Sequence, residues 1–347
     1  MQKTYTLRSS LNPLPLSSYE FKKIWNPSWF QGSREKNNYF EGWYFKNASR
    51  DGKHCWSFIP GVSLVGDNAH SFVQAINGTT GETFYFTYKL EEFSFSNKGF
   101  SINVGPNTFS NHRFELDISK GENRFVGQVQ IFDPVTFPTR FTRPGIMGWY
   151  RYMPFMECYH GVVSLDHELA GTLIINGREI NLDEGRGYIE KDWGSSMPKA
   201  WIWMQTNHFD QQKTSFMLSV ARIPWIGKTF TGFLGFFLHE GKIISFATYT
   251  GAKIVKLEYT ERETQIEIKT PEYILKIHGI QSASDNQKHG KGSLKAPVLG
   301  NMDRVIHESI DAEILLEVSD TKGNPVFNGR GNHAGLEMVG DLQLLKG

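Results

Sequence analysis

Two carboxylates stand two residues apart near the middle of the chain, at Glu190 and Asp192 within the stretch Gly187–Gly194. If this stretch is extended, its side chains alternate between two faces, and one face carries both carboxylates together with Tyr188. Residues i and i+2 of a strand lie roughly 7 Å apart. Two partly desolvated carboxylates at that distance oppose each other's ionisation, so one of them can hold a proton near neutral pH and act as a proton donor.

The surroundings of this stretch support two interpretations. The opposite face would carry Ile189, Lys191 and Trp193, and Trp201 and Trp203 follow closely in the chain. A solvated turn, in which Lys191 neutralises its acidic neighbours, is one interpretation. The other is a proton donor beside aromatic walls, since an aromatic face stabilises a cation by about 0.5–2 kcal/mol. The flanking glycines and tryptophans favour the second.

Two further glutamates have aromatic or apolar neighbours. Glu41 would share a strand face with Trp43 and Phe45, and Glu337 lies in the apolar stretch Ala334–Gly340. The default interpretation of Glu41 is a glutamate at the start of a strand that faces solvent, and that of Glu337 is an edge position. The aromatic and apolar neighbours make both candidates for ligand contact.

Metal, nucleotide and nucleophile motifs give little support to other chemistry. The stretch Asp166-His167-Glu168 offers three ligand types, but adjacent strand residues point to opposite faces, so a turn is the better interpretation. Cys158 and His160 would share a strand face, and a buried cysteine is favoured over a thiol nucleophile. The sequence has no paired-cysteine zinc pattern and no glycine-rich nucleotide loop. We expect no metal and no cofactor.

The composition limits the class of partner and the compartment. The 347 residues carry a net charge of +1 without a basic block, which gives no electrostatic case for nucleic-acid binding. Cys55 and Cys158 are too few for a disulfide framework, so a reduced, cytoplasmic setting is expected. The first residues lack an apolar run of signal-peptide length, and no stretch approaches the about 20 apolar residues of a membrane span.

Short strands separated by turn residues dominate the predicted secondary structure. Aromatic residues make up 14% of the chain and glycines number 34, a mixture that favours strands and turns over helices. The segments Tyr39–Lys46 and His54–Pro60 flank Asp51-Gly52 and predict a hairpin. Similar strands continue to the C-terminus, including a buried one at Phe230–Leu238. The spacing predicts an all-β fold of barrels or sandwiches.

The length favours two domains. We expect an irregular lead over residues 1–38, with a short helix candidate at Leu16–Trp25, a first β-domain over 39–185 and a second over 186–347. The first includes a Pro/Gly-rich linker at 134–154, which is too long for an ordinary loop and is expected to hold an inter-domain crossing or a lid.

Sequence matches at a constant offset indicate that one β-domain was duplicated. Trp43 and Trp201 stand 158 residues apart, and so do Phe58 and Phe216. Chance similarity between two aromatic sheets is the alternative.

Three motifs occur in the order seen in tocopherol cyclases, and the chain resembles that family over most of its length. The motifs are Glu41–Lys46, Gly187–Gly194 and Ala334–Gly340. An acidic residue three positions before a Trp-Gly, here Glu190, also looks similar to the more distant carotenoid 1,2-hydratases. The resemblance implies two lipocalin-like antiparallel β-domains and an apolar prenyl ligand.

The reaction that the resemblance implies is closure of a chromanol ring, in which the phenol oxygen of a prenylated hydroquinone adds across the nearest double bond of its tail. Glu190 is then the expected proton donor. Asp192 either favours the protonated form of Glu190 or accepts the phenol proton, and Tyr188 relays or orients. Asp192 replaces the asparagine that is usual in plant cyclases, so the resemblance is also compatible with a different prenyl substrate. The expected substrate-binding residues are Glu41, Trp43, Trp193, Trp201, Trp203 and Glu337.

Other functions fit the same sequence features. A non-catalytic carrier of prenyl lipids would need only the apolar cavity, and a hydratase of an isoprenoid double bond would use the same proton donor. A carbohydrate-active protein is a third class, since paired carboxylates beside tryptophans also suit sugars, but few Asn, Gln or Arg residues accompany them. Transient contact with a membrane surface would supply an apolar substrate. The sequence does not indicate the oligomeric state.

Overall fold

The computed structural model describes residues 8–9, 16–32, 37–154, 156–225, 227–281 and 292–346. The chain divides into two compact units. The described residues up to Ile76 belong to the first unit, together with Thr83–Met197 and Leu294–Val305. The second unit contains Asn77–Glu82 and the described residues of the ranges 198–293 and 306–347. Within the described residues, no helix combines the length and the apolar composition needed to cross a membrane.

The N-terminal lead contains the short helix that its sequence suggests and is therefore not irregular throughout. Helix α1 spans Leu16–Lys22 and runs directly into a 3-10 turn at Lys23–Trp25. The buried ring of Tyr19 on this helix stacks on Trp29 with 5.4 Å between ring centroids. Aromatic contact thus holds the helix, which is too short to be stable alone.

A large sheet forms most of the first unit. Among the described residues it has 13 strands in the order β1-β6-β7-β8-β9-β10-β11-β13-β2-β3-β4-β5, with β12 paired to β11. Neighbours are antiparallel except for β1 and β6. The strands are β1 Arg8–Ser9, β2 Tyr39–Ala48, β3 Cys55–Leu64, β4 His70–Asn77, β5 Thr83–Lys89, β6 Phe93–Phe95, β7 Ser101–Val104, β8 Asn107–Ser110, β9 Arg113–Lys120, β10 Asn123–Val135, β11 Cys158–Ile175, β12 Arg178–Asn181 and β13 Gly185–Gly194. Short 3-10 turns occur at Gly66–Asn68, Leu90–Glu92 and Gly148–Tyr152.

The sheet buries one face of each central strand in an aromatic core. Trp43 and Phe45 of β2 and Ile189 and Trp193 of β13 belong to this core cluster. Both faces of β2 are almost fully buried. This is expected, because aromatic residues occur on both faces of the strand. Burial of each large aromatic side chain stabilises the unit by roughly 1.5–3 kcal/mol.

A second antiparallel sheet forms most of the second unit. Among the described residues it has 11 strands in the order β18-β17-β16-β14-β24-β23-β21-β20-β19, with β15 paired to β24 and β22 paired to β23. Turns of 3-10 type occur at Thr248–Thr250 and Leu342–Lys346. The strands are β14 Trp201–Thr206, β15 His208–Phe209, β16 Ser215–Trp225, β17 Lys228–His239, β18 Lys242–Ala247, β19 Lys253–Tyr259, β20 Glu263–Lys269, β21 Tyr273–Ile280, β22 Gly292–Val298, β23 Asn301–Asp320 and β24 Pro325–Val339.

The all-β class and the two lipocalin-like antiparallel sheets are confirmed, but the boundary between the units differs from the expected one. The first unit extends to Met197 rather than to residue 185. The cause is strand β13, which hydrogen-bonds to β11 on one side and to β2 on the other. The central acidic stretch is thus part of the first sheet and not the start of the second domain.

The Pro/Gly-rich linker does not cross between domains. Residues 136–154 lie in the connection from β10 to β11, and these strands are antiparallel neighbours in the same sheet. Of the two expected roles, the inter-domain crossing was therefore wrong, and the lid stays a prediction. The expected turn at Asp166–Glu168 was also wrong, because β11 runs through it without a break.

The sequence offset of 158 residues matches some side chains that both face the core of their own unit, and others of which only one does. Phe58 of β3 and Phe216 of β16 both lie in their own core cluster, as the offset requires. Trp43 is also a core residue, whereas on β14 the core residues are Ile202 and Met204 and not Trp201. A shift by an odd number of residues reverses the face of every side chain, so one offset cannot describe the whole relationship.

Candidate active site

The acidic face of β13 forms as the alternation of its side chains requires. Tyr188, Glu190 and Asp192 point the same way, and the hydroxyl of Tyr188 donates a 2.7 Å hydrogen bond to Oε2 of Glu190. Tyr188 is fully buried and Glu190 is 5% exposed, while the side chain of Asp192 is 25% exposed. A solvated turn is excluded, because this stretch is a buried strand.

His160 joins the two carboxylates from the neighbouring strand. The register of β11 and β13 sets His160 opposite Asp192. Its Nδ1 donates to Oδ1 of Asp192 at 2.9 Å, and its Nε2 lies 3.6 Å from Oε2 of Glu190. The imidazole therefore stands between the carboxylates with one ring nitrogen toward each. The backbone of His160 is fixed in turn by the linker, since its N–H approaches Sδ of Met147 at 3.1 Å.

The charges around His160 favour its protonated form. Burial lowers the pKa of His160, but the charges of Asp192 and Glu190 together have a larger and opposite effect. The result is a pKa of about 9. The group is therefore an imidazolium near neutral pH. Transfer of one proton from Nε2 to Glu190 would give a neutral imidazole beside a neutral carboxylic acid, with the same total charge. Burial and the charge of Glu190 raise the pKa of Tyr188 well above its usual range, so Tyr188 remains a hydrogen-bond donor.

Cys158 also lies at this network but is not poised as a nucleophile. Its Sγ is 3.8 Å from Oδ1 of Asp192 and 3.7 Å from Sδ of Met197. Burial and the charge of Asp192 raise the pKa of the thiol well above its usual range. A thiolate is the reactive form of cysteine, so the thiol is not poised as a nucleophile. The residue is half-buried, whereas the sequence predicted a buried cysteine.

The opposite face of β13 holds a separate ion pair. Lys191 is fully buried, and its Nζ lies 2.5 Å from Oε1 of Glu41 on β2. The ammonium also stands over the rings of Trp43 and Trp193, at 4.6 and 4.9 Å from their centroids. Burial lowers the pKa of Lys191 to about 8, although the charge of Glu41 acts to raise it.

This ion pair fastens the N-terminal segment 27–32, which we call the N-terminal strap. Lys191 donates to the carbonyl oxygens of Pro27, at 2.9 Å, and of Trp29. The carboxylate of Glu41 accepts the backbone N–H groups of Gln31 and Gly32 at 2.8 and 2.9 Å. Three of the expected substrate-binding residues, Glu41, Trp43 and Trp193, thus lie on the face of the sheet turned away from Glu190. Glu41 and Trp43 bond directly to the strap, since Nε1 of Trp43 donates to the carbonyl oxygen of Ser28 at 2.8 Å.

The remaining expected residues lie together in the second unit. Trp203 is opposite Glu337 in the pairing of β14 and β24, and Nε1 of Trp201 donates to Oε2 of Glu337. Trp201 and Trp203 are buried although they point away from the core cluster of their unit, which takes Ile202 and Met204. The residues chosen from sequence therefore form three groups rather than one site.

Sequence reasoning considered His160 only as a partner of Cys158 and missed its place between the two carboxylates. The signal lies in the pairing of β11 with β13. That register shifts between Val162 and Ser164 and again between Ser164 and His167. Two irregularities within one strand pair make the partner of Asp192 impossible to read from residue spacing.

The same three side chains could also be considered for a metal ion. Each of His160, Glu190 and Asp192 offers one possible ligand atom, and these three atoms lie within 4.8 Å of one another. However, Nδ1 of His160 is already hydrogen-bonded to Asp192, and Glu190 already accepts from Tyr188. The arrangement is that of a hydrogen-bonded network, and we assign no metal to it.

An open groove with a volume of about 470 Å³ lies in the second unit. Its size falls in the range of small-molecule sites. Its lining contains neither a histidine nor any member of the His160 network, and so it offers no comparable proton donor. The lining residues are Tyr259, Thr260, Glu261, Met338, Gly340, Asp341 and Leu342.

Comparison with known proteins agrees with the family resemblance and with the fold. A family model described as tocopherol cyclase-like matches residues 121–340. A probable chloroplastic tocopherol cyclase of Oryza sativa subsp. japonica is 23% identical over 219 residues, which are 56% of this chain and 46% of the rice protein. A chloroplastic tocopherol cyclase of Zea mays is 27% identical over 108 residues, or 30% of this chain and 23% of the maize protein. The chain thus matches less than half the length of either relative.

The solved structure of CghA with Sch210972 is similar in fold. It superposes with a TM-score of 0.53 at 10% identity and covers 87% of this chain and 89% of CghA. The matched family region contains His160, Glu190 and Asp192 and accounts for 220 of the 347 residues. The chain belongs to the tocopherol cyclase-like family.

Proposed function

We propose that this protein catalyses a proton-initiated cyclisation of the tocopherol cyclase type, which converts a prenylated hydroquinone to a chromanol. The observation that carries the proposal is the buried carboxyl of Glu190, held by the Tyr188 hydroxyl at 2.7 Å and facing the imidazole of His160 at 3.6 Å. Family membership supports the reaction class.

The chemistry of the substrate explains why a buried acid is needed. An alkene is a very weak base, so its protonation requires a carboxylic acid that is kept neutral in a site of low polarity. Glu190 gives its proton to the less substituted alkene carbon, and a tertiary cation forms. The phenol oxygen then attacks this cation, and the phenol proton returns to a carboxylate of the site. No redox partner is involved, because the product is an isomer of the substrate.

The supporting roles follow from the contacts. Tyr188 orients the carboxyl of Glu190, since it donates to one of its oxygens. Asp192 fixes the imidazole of His160. Trp201 and Trp203 are proposed as ligand-binding residues of the second unit because they are buried outside its core cluster. Glu337 supports Trp201, since it accepts from Nε1 of that indole. Burial is also what a water-excluding cyclase needs, since water would trap the cation.

The apolar substrate determines the proposed partners and setting. A prenyl lipid would be collected by transient contact with a membrane surface, and nucleic acid has no role. Both cysteines are free, which agrees with a reducing cytoplasm. The proposal requires no cofactor.

A product assay in deuterium oxide separates cyclase, hydratase and carrier. Purified protein is incubated with a phytyl-type benzoquinol, and the extract is analysed by liquid chromatography and mass spectrometry. A cyclase gives a chromanol that carries one non-exchangeable deuterium and has lost one exchangeable hydroxyl. A hydratase gives a product heavier by one water. Recovery of the unchanged quinol alone would reject the enzymatic proposal and leave a carrier.

Replacement of Glu190 tests the proton donor. Glu190→Gln preserves the shape and can still accept from Tyr188, but it cannot donate a proton of comparable acidity. We expect turnover to fall by about 10²–10⁴-fold while binding of the quinol, followed by tryptophan fluorescence, changes little.

A matched control is Glu168→Gln, which makes the same chemical change at an exposed position of β11. It should retain full activity. Full activity of Glu190→Gln would remove Glu190 from the mechanism.

A further inference from the structure

We propose that His160, held by Asp192, is the positioning residue that stores the catalytic proton and exchanges it with Glu190. This inference rests on the proposed function, because it concerns the acid of that same reaction. His160 acts only through Glu190 and does not itself contact the substrate.

The geometry connects His160 to each carboxylate through a different nitrogen. Nδ1 donates to Asp192 at 2.9 Å, which fixes the orientation and the tautomer of the ring, as a carboxylate does in hydrolase triads. Nε2 then faces Oε2 of Glu190 at 3.6 Å. This nitrogen is buried and has no hydrogen-bond partner among the residues that the structure describes. A closure of about half an ångström would make the hydrogen bond, and such tightening on substrate binding is common in active sites.

The groups that face His160 in the described part of the first unit all favour a shared proton. Glu190 and Asp192 approach it from β13, Tyr188 reaches it through Glu190, and Cys158 of its own strand contacts Asp192. None of these is a cation, so the imidazolium is stabilised from both sides. The pKa of about 9 agrees with this arrangement.

One proton closes the catalytic cycle. In the resting protein it lies on Nε2 of His160, and Glu190 is a carboxylate. When the apolar substrate covers the site, the proton moves to Glu190 because two neutral groups replace a buried charge pair. Glu190 then protonates the alkene, and the regenerated carboxylate takes the phenol proton. That proton returns from Glu190 to Nε2, while Asp192 keeps its hydrogen bond with Nδ1.

The test compares pH profiles of wild-type protein and His160→Asn. The asparagine amide can still donate to Asp192 but offers Glu190 no titratable nitrogen. Above the range of an ordinary carboxyl group, the protonated fraction of an isolated acid falls about tenfold per pH unit. We expect kcat of the variant to be within about tenfold of wild type at pH 5.5 but lower by more than about 100-fold at pH 8, with KM unchanged.

A purely structural role would lower the activity by the same factor at every pH, and that result would overturn the proposal. Dialysis against EDTA should leave wild-type activity unchanged. Loss of activity that Zn²⁺ or Mg²⁺ restores would make the three side chains a metal site and would also overturn it.

A second measurement does not depend on activity or on the stability of the variant. The imidazole of His160 is titrated by NMR in wild-type protein and in Glu190→Gln. The wild-type midpoint should lie near 9, and the loss of the Glu190 charge should lower it. A wild-type midpoint at or below 6.5, or one that Glu190→Gln does not move, refutes the storage role. Absence of chromanol with a normal midpoint would instead refute only the proposed reaction.

Discussion

Glu41 and Glu190 are buried on adjacent strands, and their different contacts give them different roles. Glu41 receives four donors, from Gln31, Gly32, Tyr39 and Lys191. All four donors are groups of the N-terminal strap or of strands β2 and β13, so this carboxylate serves to hold the structure together. Glu190 has instead a histidine as its charged neighbour, which can take or give a proton near neutral pH. Similar burial thus gives a structural anion in one case and a proton donor in the other.

The phenol of Tyr188 should matter for catalysis more than for binding. Tyr188→Phe removes only the hydroxyl that donates to Glu190 at 2.7 Å. Loss of a hydrogen bond to a charged, buried group corresponds to about 1.5–3 kcal/mol. We expect kcat to fall by roughly 10–100-fold, with KM unchanged in steady-state assays.

Tyr85→Phe provides the comparison for this variant. Its hydroxyl contacts His70 near the edge of the same sheet, and its removal should leave turnover unaffected. Equal kcat values for Tyr188→Phe and wild type would show that Glu190 is oriented by other contacts.

Strand β13 is the element that separates the reactive from the structural polar groups. Its neighbours in the sheet, β11 and β2, supply His160 to one face and Glu41 to the other. Because side chains alternate along β13, Lys191 lies on the other face of the strand from Glu190 and Asp192, and it cannot neutralise their charges. The strand therefore keeps an excess of negative charge on the face where a proton has to be held.

The N-terminal strap should depend on the Glu41–Lys191 pair. Glu41→Gln leaves the buried ammonium of Lys191 without its counter-charge, and broken buried pairs are typically destabilising by about 3–5 kcal/mol. Urea denaturation should show this loss in the free energy of unfolding.

The double variant Glu41→Gln/Lys191→Met removes both charges and sets a flexible thioether between Trp43 and Trp193, where it can pack well. It should recover a large part of the lost stability. If Glu41→Gln alone changes the free energy of unfolding by less than 1 kcal/mol, the pair does not fasten the strap.

Local sequence patterns predicted the strands, the faces of single strands and the hairpin of β2 and β3, but not the pairing of strands that are distant in the chain. The acidic face of Gly187–Gly194 followed from alternation alone. The position of Trp43 relative to Glu190 did not, because it depends on the register of β2 with β13, a contact between distant segments. The place of His160 beside Asp192 was not predicted for the same reason, because the irregular pairing of β11 with β13 determines which residue lies opposite His160. Register is a property of the folded sheet and leaves little trace in residue spacing.

At the scale of the whole chain, the family match extends across residues of both units, from 121 to 340. The match begins after β2, so it includes the His160 network and excludes Glu41 and Trp43. The limit does not separate the residues that hold the strap, because Lys191, which donates to the carbonyl oxygen of Pro27, lies inside the matched region. The proposed chemistry needs only the matched region, whereas folding of the first unit needs both.

Two histidines on β11 should give the folded protein a maximum of stability near pH 6.5. Burial lowers the pKa of His167 to about 3, below its ordinary value of 6.5. Its contribution to stability is therefore present above pH 6.5 and is lost as the pH falls, because the unfolded chain binds the proton first. The pKa of His160 is raised to about 9, so its contribution is present below pH 6.5 and is lost as the pH rises toward 9.

Each histidine can impose a slope of up to about 1.4 kcal/mol per pH unit on its side of the maximum. Urea denaturation between pH 5 and pH 8 measures both slopes. The buried Lys191, whose pKa is lowered to about 8, contributes an opposite slope at the alkaline end, so the contribution of each histidine is taken from the difference between wild type and variant. His160→Asn should flatten the slope above pH 6.5 and leave the acid side unchanged. His167→Asn should do the reverse, since asparagine can keep a contact with Ser164, whose Oγ lies 2.9 Å from Nδ1 of His167. If His160→Asn does not alter the slope above pH 6.5, His160 is not an imidazolium stabilised by its two carboxylates, and the proton would have to be stored elsewhere.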